Sequence, residues 1–254
     1  MIDKQPARIA GMFDAIAGAY DFLNHLLSAG LDRRWRRRAI EALGLTGRET
    51  VLDLCTGTAD AGLAALAGTP GAARVIGVDF SGGMLRHGAL KIRRRGVSGA
   101  LWLVQGDAAR LPVRSASVDA VTVAFGLRNV ERLSETLAEI HRSLVGGGRL
   151  AALEFAMPQG GPVRAMYLWY FTRVLPVVGR AISRHGSAYS YLPASVGTFP
   201  APSTVTDLLR SHGFTSIASV RLTGGIVYLY VGTKAPAEAF TAGPPGIRAA
   251  TAVL

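Results

Sequence analysis

VLDLCTGTAD (residues 51–60), followed by VIGVDFS (75–81), decides how this chain is read. An apolar run of strand type (Val51, Leu52, Leu54) ends in a tight loop holding Gly57. A second run (Val75, Ile76, Val78) ends in an acid, Asp79, 22 residues after that glycine. In open α/β sheets, ligands bind beyond the carboxyl ends of the strands. A glycine loop there lets backbone approach a ligand, and an acid at the next strand's tip accepts two hydrogen bonds from a ribose. The pattern predicts a nucleoside-cofactor site.

Two cofactors compete for it. Gly57-Thr58-Ala59-Asp60-Ala61-Gly62 is G-x-A-x-x-G, one residue from the dinucleotide fingerprint, whose second glycine lets the pyrophosphate reach the backbone. Ala59 puts a methyl group there, whereas S-adenosylmethionine carries no phosphate and is less obstructed. Asp53, inside the first strand, is placed to hold either the loop or the cofactor's ammonium group. Asp107, in LWLVQGDAARLP, follows a third apolar run and is placed to accept from an adenine amino group. These acids could instead merely cap helices, but three at successive strand ends favour S-adenosylmethionine. The candidate cofactor contacts are Asp53, Gly57, Thr58, Asp60, Asp79, Phe80, Met84, Asp107, Ala108 and Ala124.

The chain of 254 residues is 49% hydrophobic and 18% charged, enough for one large α/β domain with a sizeable core. The single cysteine, Cys55, excludes an internal disulfide and sits where a small packing residue belongs rather than a nucleophile. The five histidines show no ligand spacing, so no metal is expected. The start MIDKQPARIAG lacks a signal-type apolar core, and a cytoplasmic location is expected. The net charge of +11 is concentrated in RRWRRR (33–38) and KIRRR (91–95). Such runs attract nucleic acid or acidic lipid headgroups, or simply form a solvated helix face. No RNA-binding module is recognisable and neither run lies among stacking aromatics, so no nucleic-acid partner is expected.

Apolar spacing predicts a helix over 12–28 (Phe13, Ile16, Tyr20, Leu23, Leu27) and another over 32–43. Strands are expected at 50–55, 74–79, 101–105, 118–124 and 149–155, with helices between them. One such helix covers 131–145 and is stopped by Gly146-Gly147-Gly148. After a helix at 203–212, strands at 216–222 and 226–233 flank Thr223-Gly224-Gly225 as an antiparallel hairpin. The expected architecture is α/β and Rossmann-like: a mostly parallel seven-stranded sheet in one domain, 1–234, with a C-terminal antiparallel hairpin. Residues 235–254 read as a disordered tail. Residues 156–202 break the alternation with an apolar, aromatic insert, MYLWYFTRVLPVVGRAI at its centre. Arginines interrupt it before any run reaches the ~18–20 residues of a membrane span. It reads as an amphipathic cover over the strand ends, with Pro176 breaking any helix there.

Several motifs outside the loop carry a resemblance. They are Tyr20-Asp21-Phe22-Leu23-Asn24 running on to Ser28 and Trp35, AFGLRNV (124–130), GGGRLAALEF (146–155), YSYLPASVGTFP (189–200) and GGIVYLYVGTK (224–234). Over roughly residues 8–234 the chain resembles the quinone C-methyltransferases of menaquinone and ubiquinone biosynthesis, members of the class I methyltransferase fold. The resemblance implies methyl transfer from S-adenosylmethionine to a ring carbon of a reduced, prenylated quinone. Demethylmenaquinol is the favoured substrate and a polyprenyl benzoquinol the alternative. It implies catalytic roles for Arg128, as a cation favouring the phenolate, and for Asn129, with Tyr20, Asn24, Tyr189 and Tyr191 shaping the substrate pocket. The basic runs and residues 163–185 are expected to hold the enzyme on anionic membrane. Departures from the family pattern are Cys55, Ala59, Asp107, Ala124 and Gly146, and Ala59 is expected to constrict the loop and weaken cofactor binding. Two readings from other classes remain: a methyltransferase acting on RNA or another lipophilic molecule, and a cofactor-free partner in a quinone-synthesis assembly.

Overall fold

The computed structural model describes residues 5–18, 20–69, 73–170, 173 and 187–236. Seven strands form one sheet: β1 (Thr50–Leu54), β2 (Arg74–Asp79), β3 (Leu101–Gln105), β4 (Val118–Ala124), β5 (Leu144–Phe155), β6 (Phe214–Leu222) and β7 (Val227–Lys234). Their order is β3-β2-β1-β4-β5-β7-β6. The first five are parallel, and β7 enters antiparallel between β5 and β6. A parallel sheet must be covered on both faces, which is why its central strands are apolar almost throughout.

Alternate strand residues feed two cores. On one face Leu52, Val121 and Leu150 pack with Leu137 and Ile140 of α6 (Leu133–Ser143) and with Val205 and Leu209 of α9 (Pro202–Ser211). On the other, Val51, Val75 and Leu153 pack with Trp35, Ala39, Ile40 and Leu43 of α3 (Leu31–Leu43) and Ile92 of α5 (Gly82–Arg94). The arginine run thereby becomes an amphipathic helix: Arg33, Arg34, Arg37 and Arg38 are exposed while Trp35 and Ala39 are buried. In the second basic run, Lys91, Arg93 and Arg94 occupy the last turn of α5, where cations oppose the negative end of the helix dipole.

β1 and β4 are neighbours although β2 and β3 lie between them in the chain, so the strand order reverses at β1/β4. That switch point is where a crevice opens beyond the strand ends. Three sets of elements surround it: α1 (Pro6–Ile16) and α2 (Tyr20–Leu27), α4 (Asp60–Gly68), and, from the inserted segment, α7 (Gly161–Trp169) and α8 (Ser187–Thr198).

The expected fold class is observed, with two local corrections. The helix expected over 12–28 is two helices, interrupted by a turn at Ala17-Gly18. Phe13 and Tyr20 meet edge to face across the break at 5.9 Å. The glycines 146–148 do not stop a helix in a loop. α6 ends at Ser143 and all three lie inside β5. A Cβ on Gly148 would lie 2.9 Å from the Val145 carbonyl oxygen and 3.0 Å from that of Asp119, so backbone packs there on backbone. Pro176 and most of the tail from 237 onward lie outside the described residues.

Candidate active site

The end of β1 is bent into a loop by three left-handed residues, Cys55 (φ 54°), Gly57 (φ 54°) and Ala59 (φ 70°). Asp53 holds this loop from below. Its Oδ2 accepts from Thr56 Oγ1 at 2.5 Å and from Gly62 N–H at 2.7 Å, and its side chain is buried away from the crevice. Burial pushes the Asp53 carboxyl up to about 7. Of the two uses open to Asp53, holding the loop is the observed one. Burial also raises the Cys55 thiol well above its ordinary value, which suits a packing residue and not a nucleophile. The contact it makes is tight: a Cβ on Gly126 would stand 2.3 Å from Cys55 Cβ, so the ends of β1 and β4 close on a glycine.

Above this loop lies a cavity of about 110 Å³ lined by Gly57, Asp79, Phe80, Met84, Asp107, Ala108, Ala124 and Asn129, among others. The Asp79 carboxylate accepts from Gly57 N–H at 2.7 Å and from Ser81 N–H at 2.9 Å. Burial raises its pKa, outweighing the backbone amides of Ser81, Gly57 and Phe80 that favour the carboxylate. Ribose hydroxyls would supply further donors, so these residues fit S-adenosylmethionine. Asp107 accepts from Ala109 N–H at 2.9 Å and pairs with Arg132 at 3.0 Å, which holds its carboxylate at the cavity wall.

Thr58 and Asp60 do not line this cavity. Thr58 Oγ1 donates to Asp21 at 2.5 Å and receives Lys91 at 3.0 Å, while Asp60 pairs with Lys91 at 2.6 Å and Arg36 at 3.6 Å. Both tie the loop to α2, α3 and α5. Nor does Ala59 constrict the cavity. Its methyl is fully buried in the core beside α3 and does not reach the cavity, so its cost is a left-handed backbone, not a constricted site.

Ile9, Ala10 and Phe13 of α1 cover the cavity, and Asp14 fastens the cover. Its carboxylate accepts from Ser81 Oγ at 2.5 Å and Gly83 N–H at 2.8 Å, capping α5. Asp14→Ala is expected to cost about 1 kcal/mol of stability through the lost cap. It should also speed cofactor release by roughly fivefold, the same loss expressed at the cover. Stopped-flow dissociation checks this.

A second cavity, about 320 Å³ and mainly apolar, is lined by Tyr20, Asn24, Trp35, Phe125, Arg128, Phe155 and residues of α7. Its walls are an aromatic cluster. Phe125 and Phe155 stack at 4.6 Å, and Trp35 meets them edge-on at 5.9 and 6.1 Å, its indole N–H fixed on Thr223 Oγ1 at 2.9 Å. Tyr20 and Phe125 line both cavities and form the partition between them. Phe125 takes φ 63° to do so, a strained conformation for a bulky residue. Burial raises the Tyr20 hydroxyl's pKa, so it is held as the phenol.

Arg128 and Asn129 stand on the single 3-10 turn after β4, Leu127–Asn129. Glu154, wholly buried at the tip of β5, pairs with Arg128 Nη1 at 2.7 Å and accepts the Arg128 backbone N–H at 3.0 Å. Nη1 also donates to the Phe125 carbonyl at 2.5 Å, and the guanidinium carbon lies 5.3 Å over the Phe155 ring. Burial alone would lower the Arg128 pKa, but Glu154 outweighs it and holds the value up. Arg128 Nε is buried with no hydrogen-bond partner. Asn129 faces the cofactor cavity and accepts from Tyr191 O–H at 3.1 Å. Asn24 lines the aromatic cavity, and the side chain of Tyr189 lies outside the described atoms.

Sequence reasoning missed Asp14, Glu154 and Phe155. Glu154 carries the signal applied to the other acids, a carboxylate closing an apolar strand (LAALEF). Asp14 had none, since it acts 67 residues away.

Comparison with known proteins now decides the lineage. A sequence model of the ubiE/COQ5 methyltransferase family matches residues 1–234. The chain belongs to the ubiE/COQ5 methyltransferase family. Among relatives, a Geobacter (strain M21) protein named ubiquinone/menaquinone biosynthesis C-methyltransferase UbiE is 42% identical over 233 residues, covering 92% of this chain and 99% of its own. A Streptomyces avermitilis demethylmenaquinone methyltransferase is 42% identical over 235 residues, covering 92% and 97%. Solved structures share the fold at low identity. An S-adenosylmethionine-dependent methyltransferase of Aquifex aeolicus superposes with a TM-score of 0.58 at 15% identity, covering 90% of this chain and 98% of that one. The [4+2]-cyclase SpnF reaches 0.62 at 17%, covering 81% of each. A cyclase on the same scaffold shows why membership in the ubiE/COQ5 family, and not the fold, speaks to chemistry.

Proposed function

We propose that this ubiE/COQ5 family member transfers a methyl group from S-adenosylmethionine to a ring carbon of a reduced, prenylated quinone, with demethylmenaquinol as substrate. The observation that carries the reading is a buried guanidinium, anchored by Glu154 and with an unused Nε, in the wall of an aromatic cavity that adjoins the cofactor cavity. The relatives' names support the substrate class.

The cofactor supplies an electrophilic methyl group on a sulfonium. The chain must supply a nucleophilic ring carbon. A phenol of pKa about 10 is ionised in only roughly one molecule in a thousand near neutrality. Arg128 lowers that barrier by placing a fixed cation where the quinol's oxygen gains charge. Because Glu154 already neutralises the buried pair, the phenolate is drawn by the guanidinium's remaining donors and not by a bare charge. Asn129, oriented by Tyr191, holds a hydroxyl or a water beside the cofactor cavity. Trp35, Phe125 and Phe155 stack on the ring and keep water from the reacting carbon.

The deciding experiment incubates the purified protein with S-adenosylmethionine and either reduced demethylmenaquinone or a reduced benzoquinone precursor. The expected result is methylation of the naphthoquinol in preference to the benzoquinol. Methylation of neither would refute the reading, and preference for the benzoquinol would move the substrate to ubiquinone biosynthesis, which the first relative's name also includes.

The site also opens towards a membrane. Phe22 (61% exposed) and Leu26 on α2 and Met166 (58%) on α7 are exposed apolar side chains on helices that line the aromatic cavity, and α3, whose arginines are exposed, lines it too. Among the described residues no helix is long and apolar enough to cross a bilayer. We infer peripheral contact with anionic lipid, where a prenylated substrate resides. Phe22→Ser/Leu26→Ser is expected to lower co-sedimentation with anionic vesicles at least about tenfold, since each side chain contributes about 1.5 kcal/mol or more when buried. Binding indifferent to the variant and to salt would count against it.

A further inference from the structure

The two basic runs of the sequence come together in space, at a place the methyl-transfer site does not use. Arg36 and Lys91 are spent internally, on Asp32, Asp60 and Asp21. Arg33 and Arg37, one helical turn apart on α3, line a cleft of about 790 Å³ between α3 and α4, and Arg95, just past α5, lines it too. None of these three has a carboxylate within ion-pair reach among the described residues. The acids of the lining are Glu41 and Asp60. Asp60 is already paired with Lys91 at 2.6 Å, and Glu41 lies 3.7 Å from Arg38.

A second observation points to a ligand. Thr69 lines the same cleft, is only 5% exposed, and its Oγ1 has no hydrogen-bond partner. Buried hydroxyls are nearly always satisfied, and this orphan belongs to the same lining as the three unpaired arginines. Guanidinium forks match phosphate oxygens in pairs, and a phosphate oxygen would accept from the hydroxyl as well. No Phe, Tyr or Trp lines the cleft, and its one imidazole, His25, lies 2.7 Å from Asp32, so it offers a nucleobase little to stack on.

We propose that this cleft is a binding site for a phosphate group, held by Arg33, Arg37 and Arg95 with the Thr69 hydroxyl as a further donor. The group belongs either to a free phosphorylated compound or to a phospholipid headgroup. The site stands apart from the methyl-transfer reading and does not depend on it.

Inorganic pyrophosphate and vesicles of phosphatidylglycerol or phosphatidylcholine are the probes. Pyrophosphate titrated calorimetrically into the full chain is expected to bind at one site. Arg33→Gln/Arg37→Gln should weaken it at least about tenfold, as loss of charge-assisted hydrogen bonds does. Arg34→Gln/Arg38→Gln removes the same charge from the same helix outside the cleft and should leave binding within about threefold. Thr69→Val should weaken binding without lowering thermal stability, because it deletes a hydroxyl that has no partner. If phosphatidylglycerol vesicles need Arg33 and Arg37 and are displaced by pyrophosphate, the source is the headgroup. If pyrophosphate binds but vesicles ignore that pair, it is a free phosphate compound. Equal losses in the two double variants, or no response to Arg33 and Arg37 with either probe, would overturn the site.

Discussion

Replacing Arg128 by methionine together with Glu154 by glutamine is expected to leave a folded protein that binds S-adenosylmethionine normally and methylates quinol at least about a hundredfold more slowly. The double change is needed because Arg128→Met alone leaves Glu154 wholly buried without its cation, at about 3–5 kcal/mol. Calorimetry separates the cofactor step from turnover, since Arg128 lines the aromatic cavity and not the cofactor cavity. The pH profile adds a signature that a merely structural role would not show. Without the cation the quinol must ionise on its own, so the variant's rate should climb roughly tenfold per pH unit up to a phenol pKa of about 10. The wild type should depend on pH less steeply. Methylation near the wild-type rate would remove Arg128 from the chemistry.

Asp79→Ala acts on the other cavity. It removes two acceptors for ribose at about 1.5 kcal/mol or more each, so cofactor affinity should fall roughly a hundredfold. The same carboxylate also restrains the Gly57 and Ser81 amides, so the loop loosens as the ligand contacts vanish. Titration of S-adenosylmethionine tests it, and unchanged binding would exclude Asp79 from the site.

How much of this was legible in the sequence depended on the range of each interaction. The strands from β1 to β4 were placed almost to the residue, because buried parallel strands are short apolar runs punctuated by glycine and acid. Asp79 and Asp107 follow from the same local rule, and the structure sets both at the cavity wall. Thr58 and Asp60 show its limit. A loop motif names positions, not directions, and here the side chains turn towards Asp21, Lys91 and Arg36. The break at Ala17-Gly18 was hidden because the apolar residues on either side of it kept helical spacing. The pairs that assemble the site, Asp14 with Ser81 and Glu154 with Arg128, join segments far apart in the chain, and no local pattern encodes them.

The partition made by Tyr20 and Phe125 bears on traffic as well as on chemistry. The described elements covering the two sides of it differ: α1 over the cofactor, α2 and α7 over the aromatic cavity. Each side can therefore open while the other stays shut. On the proposed function, a spent nucleoside would leave past α1 without the quinol having to withdraw first, so neither reactant would wait for the other at the door.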